Sequence, residues 1–127
     1  MQRIKFGEIK LRWSKWVSWK SLEIDGLQDG ASKIPNKEPG VYEVRIVKSG
    51  RERLTIGKAS NLRRRIIRAL IEGKSPHSAG KRIRANENLN RLEVRWAKTT
   101  RPAEVEEELH QKYKKKFKRL PKYVKVT

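Results

Sequence analysis

Alternation of apolar and polar residues predicts three strands in this chain. The first spans 41–48 and places on one face Tyr42, Val44 and Ile46. A shorter strand over 53–56 follows a turn signal at Ser49-Gly50, so these two strands are expected to form a hairpin. The third strand spans 91–98, where the residues that share one face are Leu92, Val94 and Trp96.

Helical periodicity predicts three helices around these strands. The first is capped by Ser60 or Asn61, runs to about residue 72 and stops at Gly73. A shorter helix is expected over 76–88, and the last begins at Pro102 and runs to about residue 119. The order of elements predicts an α/β (α+β) fold, with a small central antiparallel or mixed sheet of about three strands flanked by helices.

The first 39 residues form a Trp-rich N-terminal extension, which is expected to be an irregular or short-strand lead-in that packs on a core of residues 40–120. Trp13, Trp16 and Trp19 recur at every third position. Such rings either stack on unpaired bases or, as the more common arrangement, pack on the domain as a flap.

The net charge of the chain narrows the classes of molecule that it is expected to bind. The 127 residues suffice for a single domain with one core, yet they carry 33 Lys and Arg against 14 Asp and Glu, a net charge of +19. A field of this sign attracts polyanions, so nucleic acid, with DNA favoured, is the expected partner. A merely solubilising surface is the alternative. A membrane partner is not expected, because no apolar run approaches the length of a bilayer span.

The absence of cysteine excludes disulfides, thiolate metal sites and thiol catalysis. This composition fits a reducing compartment, and the N-terminal residues lack the continuous apolar core of a signal peptide. A cytoplasmic location is therefore expected.

One carboxylate in the last predicted helix falls among apolar residues. Glu106 lies three residues before Leu109 and seven before Tyr113, within the apolar face, whereas Glu107 points away from it. Burial of a carboxylate is costly unless it is paired or binds a cation. Two interpretations stay open: a salt bridge to one of the many arginines, and a metal ligand or catalytic carboxylate.

A basic segment follows the second strand. Gly57 is expected to form a turn that carries Lys58 and leads into a helix whose free N–H groups suit phosphate. The candidate nucleic-acid-binding residues are all basic: Lys58, Arg63, Arg64, Arg68, Lys81, Arg82 and Arg84. The alternative is that these side chains solvate exposed helix faces. The basic stretch 112–125 is a second candidate surface for phosphate contacts.

Several short segments together resemble the signature of the GIY-YIG nuclease family: Gly40-Val41-Tyr42, then Thr55-Ile56-Gly57, then Lys58-Ala59-Ser60-Asn61-Leu62-Arg63-Arg64-Arg65. The segment 103–109 resembles the family's glutamate-bearing helix. The chain is especially similar to the N-terminal nuclease domain of the bacterial excision-repair incision subunit, over roughly residues 38–120. The resemblance implies a metal-dependent endonuclease that hydrolyses phosphodiester bonds of DNA.

The resemblance also implies a role for individual residues. Glu106 would hold a divalent cation, Mg²⁺ or Mn²⁺, that acts as a Lewis acid. The Tyr42 hydroxyl would relay a proton from the attacking water. Arg65 would stabilise charge on the phosphoryl group, with Lys58 near the phosphate.

Three positions depart from the family pattern. Thr55 replaces the second signature tyrosine, Ala69 stands where the family has His or Tyr, and Lys118 aligns with an asparagine. His77, at a predicted helix start, is a candidate substitute, although it could be an ordinary loop or surface histidine. Thr55 and Ala69 favour an alternative function, a non-catalytic DNA- or RNA-binding module that retains the fold.

Overall fold

A four-stranded antiparallel sheet forms the centre of the computed structural model, which describes residues 10–27 and 33–124. Its strands are β1 (Val17–Ser18), β2 (Gly40–Ile46), β3 (Thr55–Ala59) and β4 (Leu92–Lys98). The strand order is β1-β4-β2-β3, so β2 is internal and β3 is an edge strand. The predicted α/β class and the β2–β3 hairpin are confirmed, but the sheet has four strands rather than about three.

Four helices accompany the sheet: α1 (Trp19–Leu27), α2 (Arg64–Ile71), α3 (Ser78–Asn86) and α4 (Pro102–Phe117). Helix α2 is π-helical, and a 3₁₀ turn at Leu89–Arg91 precedes β4. The Asn61 side-chain oxygen accepts from the amide of Arg64, the first residue of α2, at 3.4 Å, but the N-cap residue of α2 is Arg63 rather than the predicted Ser60 or Asn61. None of the helices within the described ranges combines the length and apolar character needed to cross a membrane.

Alternate residues of β2 face two different layers. Tyr42 and Val44 belong to the main core, which also contains buried side chains of α1, α2 and α3. Val41 packs instead in a smaller cluster with Ala97 of β4 and Val105 of α4. Helix α4 therefore covers the face of the sheet opposite the main core, as the two-faced pattern of β2 requires.

Helix α1 was not predicted, since the lead-in was expected to be irregular or a short strand. Only Trp19 and Leu22 of this helix are buried, and Ile24 and Leu27 are exposed, so the sequence shows no apolar stripe. Its stability comes from packing against α2 and the sheet. The predicted loop is only partly described, because residues 28–32 lie outside the described ranges, as do residues 1–9 and 125–127.

The predicted turn at Gly57 is wrong. Strand β3 continues through Gly57 and Lys58 to Ala59, and Gly57 is paired with Tyr42 of β2. A Cβ atom on Gly57 would collide with the Tyr42 ring. Glycine is therefore needed here for close approach of an aromatic ring to the backbone rather than for a turn.

The N-terminal tryptophans pack on the domain. Trp19 is fully buried in the main core. The Trp13 ring lies 4.1 Å from the Arg95 guanidinium, and the Trp16 ring lies 4.0 Å from that of Arg45. These contacts support the interpretation of the rings as a flap over the sheet rather than a free base-stacking platform.

A buried ion-pair cluster underlies this flap. The carboxylate of Glu43 is 6% exposed and pairs with Arg53 at 2.8 Å and with Arg95 at 2.7 Å. Glu93, on β4, makes one pair with Arg45 at 3.0 Å and is 21% exposed. Removal of Glu43 would leave two partly buried guanidinium groups without their shared counter-charge.

We therefore expect Glu43→Ala to lower the free energy of unfolding by about 3 kcal/mol, the scale for breaking a buried pair. The matched control, Glu93→Ala, should cost less than about 1 kcal/mol, because that pair is more exposed. Urea denaturation of the three proteins measures both values. Equal losses in the two variants would contradict the special position of Glu43.

Candidate active site

A cavity of about 190 Å³ opens beside the edge strand β3. Every residue predicted to be catalytic lines it: Tyr42, Thr55, Lys58, Arg65, His77 and Glu106. These residues come from β2, β3, α2, the start of α3, and α4. The fold thus gathers side chains that are separated by up to 64 positions, from Tyr42 to Glu106, at one place.

Tyr42 and His77 are joined by a hydrogen bond of 2.6 Å between the phenol oxygen and Nε2. The other ring nitrogen of His77, Nδ1, accepts from the backbone N–H of Gly80 at 2.9 Å. Because an amide N–H can only donate, Nδ1 carries no proton, and the neutral ring must hold its proton on Nε2. His77 therefore donates to Tyr42, and the hydroxyl proton of Tyr42 is left for another acceptor.

Both partners of this hydrogen bond are neutral near pH 7. Burial raises the pKa of Tyr42 to about 12, although the nearby Arg65 guanidinium opposes this shift. Burial also lowers the pKa of His77 to about 4, and the positive charges of Arg65 and Arg84 act in the same direction. The pair is therefore a fixed donor–acceptor arrangement and not an ion pair.

His77 is not an ordinary surface histidine, since only 8% of it is exposed. It is the N-cap residue of α3, and its ring accepts a hydrogen bond from the backbone amide of Gly80. This helix start is less suited to bind a phosphate, because a first-turn N–H already has a partner.

Glu106 is half-buried in α4. It forms no hydrogen bond or ion pair with any of the described residues, 10–27 and 33–124. The salt-bridge interpretation therefore finds no support. Its neighbour Glu108 does pair, with Lys112 at 3.6 Å, and Glu107 is exposed. Across the described part of the chain no group of three His, Cys, Asp or Glu residues could hold a metal ion. A cation at Glu106 would need oxygen ligands from water and substrate as well.

The Arg65 guanidinium is the positive charge that opposes the rise in the pKa of Tyr42. It makes no ion pair with any described carboxylate, and its buried Nε has no hydrogen-bond partner among those residues. A buried donor without an acceptor is uncommon and costly. An anion that enters the cavity would supply the missing negative charge.

The predicted nucleic-acid-binding residues divide into two groups. Three arginines bond to backbone carbonyls and hold the fold together: Arg63 to Ile34, Arg82 to Tyr123, and Arg84 to Ala69 and Leu70. The exposed members are Lys58, Arg64, Arg68 and Lys81. Of these, only Arg68 has an ion pair within the described ranges, a 3.8 Å contact with Glu72. Lys58 projects from β3 and not from a turn.

The three departing positions have different surroundings. Thr55 is buried and lines the cavity. Ala69 is buried in α2, and with Arg65 it lines a second cavity of about 380 Å³. Lys118 is exposed and ends α4 in a left-handed conformation, with φ of 63°. His77, rather than any residue at position 69, supplies the imidazole that contacts Tyr42.

Two further residues line the cavity: His110, whose place at the edge of the apolar face of the last helix predicts only a packing or surface role, and Tyr123. His110 lies one helical turn after Glu106, and this spacing could have revealed it. Tyr123 reaches the cavity from the segment after α4, where its hydroxyl donates to Glu87 at 2.6 Å. No sequence pattern marks Tyr123, because its position depends on the packing of that segment.

Comparison of the chain with protein-family models, curated proteins and solved structures finds no match. The resemblance to a nuclease signature therefore stays a prediction from the sequence segments quoted above.

The neutral state of His77 predicts a specific pH dependence of stability. Since its pKa is about 4 in the folded protein against an ordinary 6.5, the stability that it contributes is complete above pH 6.5 and is lost as the pH falls towards 4. His77→Asn keeps a side-chain acceptor at the N-cap but cannot titrate. The stability difference between parent and variant should therefore shift in favour of the variant between pH 6.5 and 4.

Urea denaturation at several pH values measures this difference, and titrating carboxylates common to both proteins cancel in it. A parent–variant difference that stays constant across the interval would contradict the assignment of a buried, neutral His77.

Proposed function

We propose that the protein is a cytoplasmic, metal-dependent endonuclease that hydrolyses phosphodiester bonds of nucleic acid, DNA foremost, by GIY-YIG-type chemistry. The observation that carries the proposal is the convergence of Tyr42, Arg65 and Glu106 on one cavity, with the Glu106 carboxylate free of any described counter-ion. Packing alone does not require three polar groups from separate elements to meet at a sheet edge.

The donor atoms that line the cavity are of the kind that binds a divalent cation. Glu106 offers unpaired carboxylate oxygens, the ligand type that Mg²⁺ and Mn²⁺ take, and the accessible cavity leaves room for water. A cation bound there would supply Lewis-acid polarisation of a phosphate oxygen. The remaining roles belong to the protein's own side chains.

Arg65 is placed to stabilise negative charge on a phosphate. Its guanidinium lies beside Tyr42, it has no described carboxylate partner, and one of its N–H donors lacks an acceptor. A fixed charge of this kind favours the transition state, in which negative charge on the phosphoryl oxygens increases. Lys58, exposed on β3 at the cavity, adds attraction for the same group.

Tyr42 is suited to pass on a proton and not to act as a stable phenolate. With its pKa raised to about 12, the hydroxyl is protonated near pH 7. It accepts from His77, whose Nε2 already carries a proton, so Tyr42 can take a proton from water only as it releases its own to a phosphate oxygen or a water molecule in the cavity. His77 fixes the orientation of the phenol, a positioning role that compensates for the absence of a ring at Thr55.

The surroundings of the cavity suit a phosphate backbone. Two adjoining cavities share residues with it, one through Arg65 and the other through His77 and Ser78. Exposed Arg64 lines the first and exposed Lys81 the second. With a net charge of +19, this surface would hold phosphates on both sides of the cleaved bond.

A non-catalytic DNA- or RNA-binding module is the second candidate. Thr55 favours it, because this residue lines the cavity but cannot replace a phenol in proton transfer. The lack of a three-ligand metal group among the described residues favours it as well.

Nicking of supercoiled plasmid with Mg²⁺ or Mn²⁺ separates the two candidates. Glu106→Gln should reduce cleavage by roughly 100-fold or more, since it removes the anionic ligand. Glu107→Gln is the matched control, since it makes the same change one position along α4 on an exposed residue, and it should cut like the parent.

Equal cutting by parent and Glu106→Gln would refute the site. If no protein cuts plasmid, branched or single-stranded DNA, or RNA, but all bind with a steep dependence on salt, the binding module is correct.

A further inference from the structure

His110 shares the cavity with Glu106 and stands four residues after it on α4. Side chains at this spacing are neighbours on a helix surface, with Cβ atoms about 5–6 Å apart. Long side chains on a helix also lean towards its N-terminus. The spacing therefore places the imidazole of His110 on the same side of α4 as the Glu106 carboxylate, at the same cavity.

The protonation of the His110 ring follows from one contact. Its Nε2 lies 2.8 Å from the backbone carbonyl of Ile56, on the edge strand β3. Because a carbonyl only accepts, Nε2 must carry the proton. The neutral ring then has a bare lone pair on Nδ1, and Nδ1 has no hydrogen-bond partner within the described residues.

This arrangement is the one found in metal-binding histidines. Such a histidine donates one ring N–H to a carboxylate or a backbone carbonyl, and this bond fixes the tautomer and the orientation of the nitrogen that binds the metal. His77 differs, because both of its ring nitrogens already have protein partners. The two described histidines of the cavity are therefore not equivalent, and only His110 has a nitrogen free for a cation.

We propose that His110 Nδ1 and the Glu106 carboxylate together bind one divalent cation, as a two-residue site on the inner face of α4. This inference rests on the proposed function and specifies its metal. A nitrogen ligand favours Mn²⁺ and later first-row cations over Mg²⁺, which prefers oxygen. The protein should accordingly bind Mn²⁺ more tightly than Mg²⁺.

Titration of Mn²⁺, followed by the electron paramagnetic resonance signal of the free ion, tests the site without any cleavage assay. His110→Gln keeps an N–H donor for the Ile56 carbonyl but lacks Nδ1, so it should weaken Mn²⁺ binding by roughly 10-fold or more. The affinity of His110→Gln for Mg²⁺, measured by competition with Mn²⁺, should fall less than its affinity for Mn²⁺. His77→Asn, the control at the other histidine, should bind Mn²⁺ like the parent. Thermal unfolding without metal verifies that each variant is folded.

Electron spin echo modulation of bound Mn²⁺ provides a second, direct readout. The parent and His77→Asn should show ¹⁴N modulation from a coordinated imidazole, and His110→Gln should not. If His110 had only a structural role, the ¹⁴N modulation would persist in His110→Gln, or it would be absent from the parent as well.

The outcomes distinguish the inference from the proposed function. Mn²⁺ binding that is lost in Glu106→Gln but unchanged in His110→Gln overturns the role of His110 and leaves the Glu106 site standing. Binding without ¹⁴N modulation, or no Mn²⁺ binding by the parent up to millimolar concentration, also overturns it. Binding unchanged in Glu106→Gln overturns the metal site of the proposed function itself.

Discussion

The hydrogen bond between Tyr42 and His77 is the constraint on which the candidate site depends. It ties the internal strand β2 to the first turn of α3, across 35 residues of sequence. The same imidazole caps α3 through Gly80, so the orientation of the tyrosine and the start of the helix are determined together. Gly57 must lack a side chain for the Tyr42 ring to lie where it does. The backbone at Gly57, the N-cap of α3 and the Tyr42 phenol are thus parts of one connected arrangement.

The electrostatics of the cavity follow from this arrangement. Burial keeps both Tyr42 and His77 neutral, and Arg65 is the charged group that acts on both of them. Glu106 approaches from α4, on the other face of the sheet, and its negative charge further raises the pKa of Tyr42. A positive and a negative side chain therefore flank a neutral phenol, neither of them in a described salt bridge. In the proposed function, a cation and a phosphate would bind here together without breaking a described ion pair.

Much of this architecture is encoded locally. Alternation in β2 and β4 predicts the two faces of the sheet, and the helical period of α4 marks Glu106 as a carboxylate out of place. What sequence patterns miss depends on contacts between distant residues. The need for glycine at position 57 follows from the Tyr42 ring beside it, and α1 is stabilised by packing rather than by an apolar stripe. The roles of His77 and His110 depend on Tyr42 and on the Ile56 carbonyl, which lie 35 and 54 positions away.

In the proposed function, Tyr42 is the group that moves the proton during hydrolysis of a bound phosphodiester. Single-turnover cleavage of a DNA duplex with Mn²⁺ by the parent and by Tyr42→Phe measures this role of the hydroxyl, with the Kd for DNA determined in parallel. Phenylalanine keeps the ring beside Gly57 and removes only the hydroxyl. We expect a cleavage rate lower by roughly 100-fold or more in Tyr42→Phe, with little change in the Kd for DNA. Cleavage at the parent rate by Tyr42→Phe would contradict it.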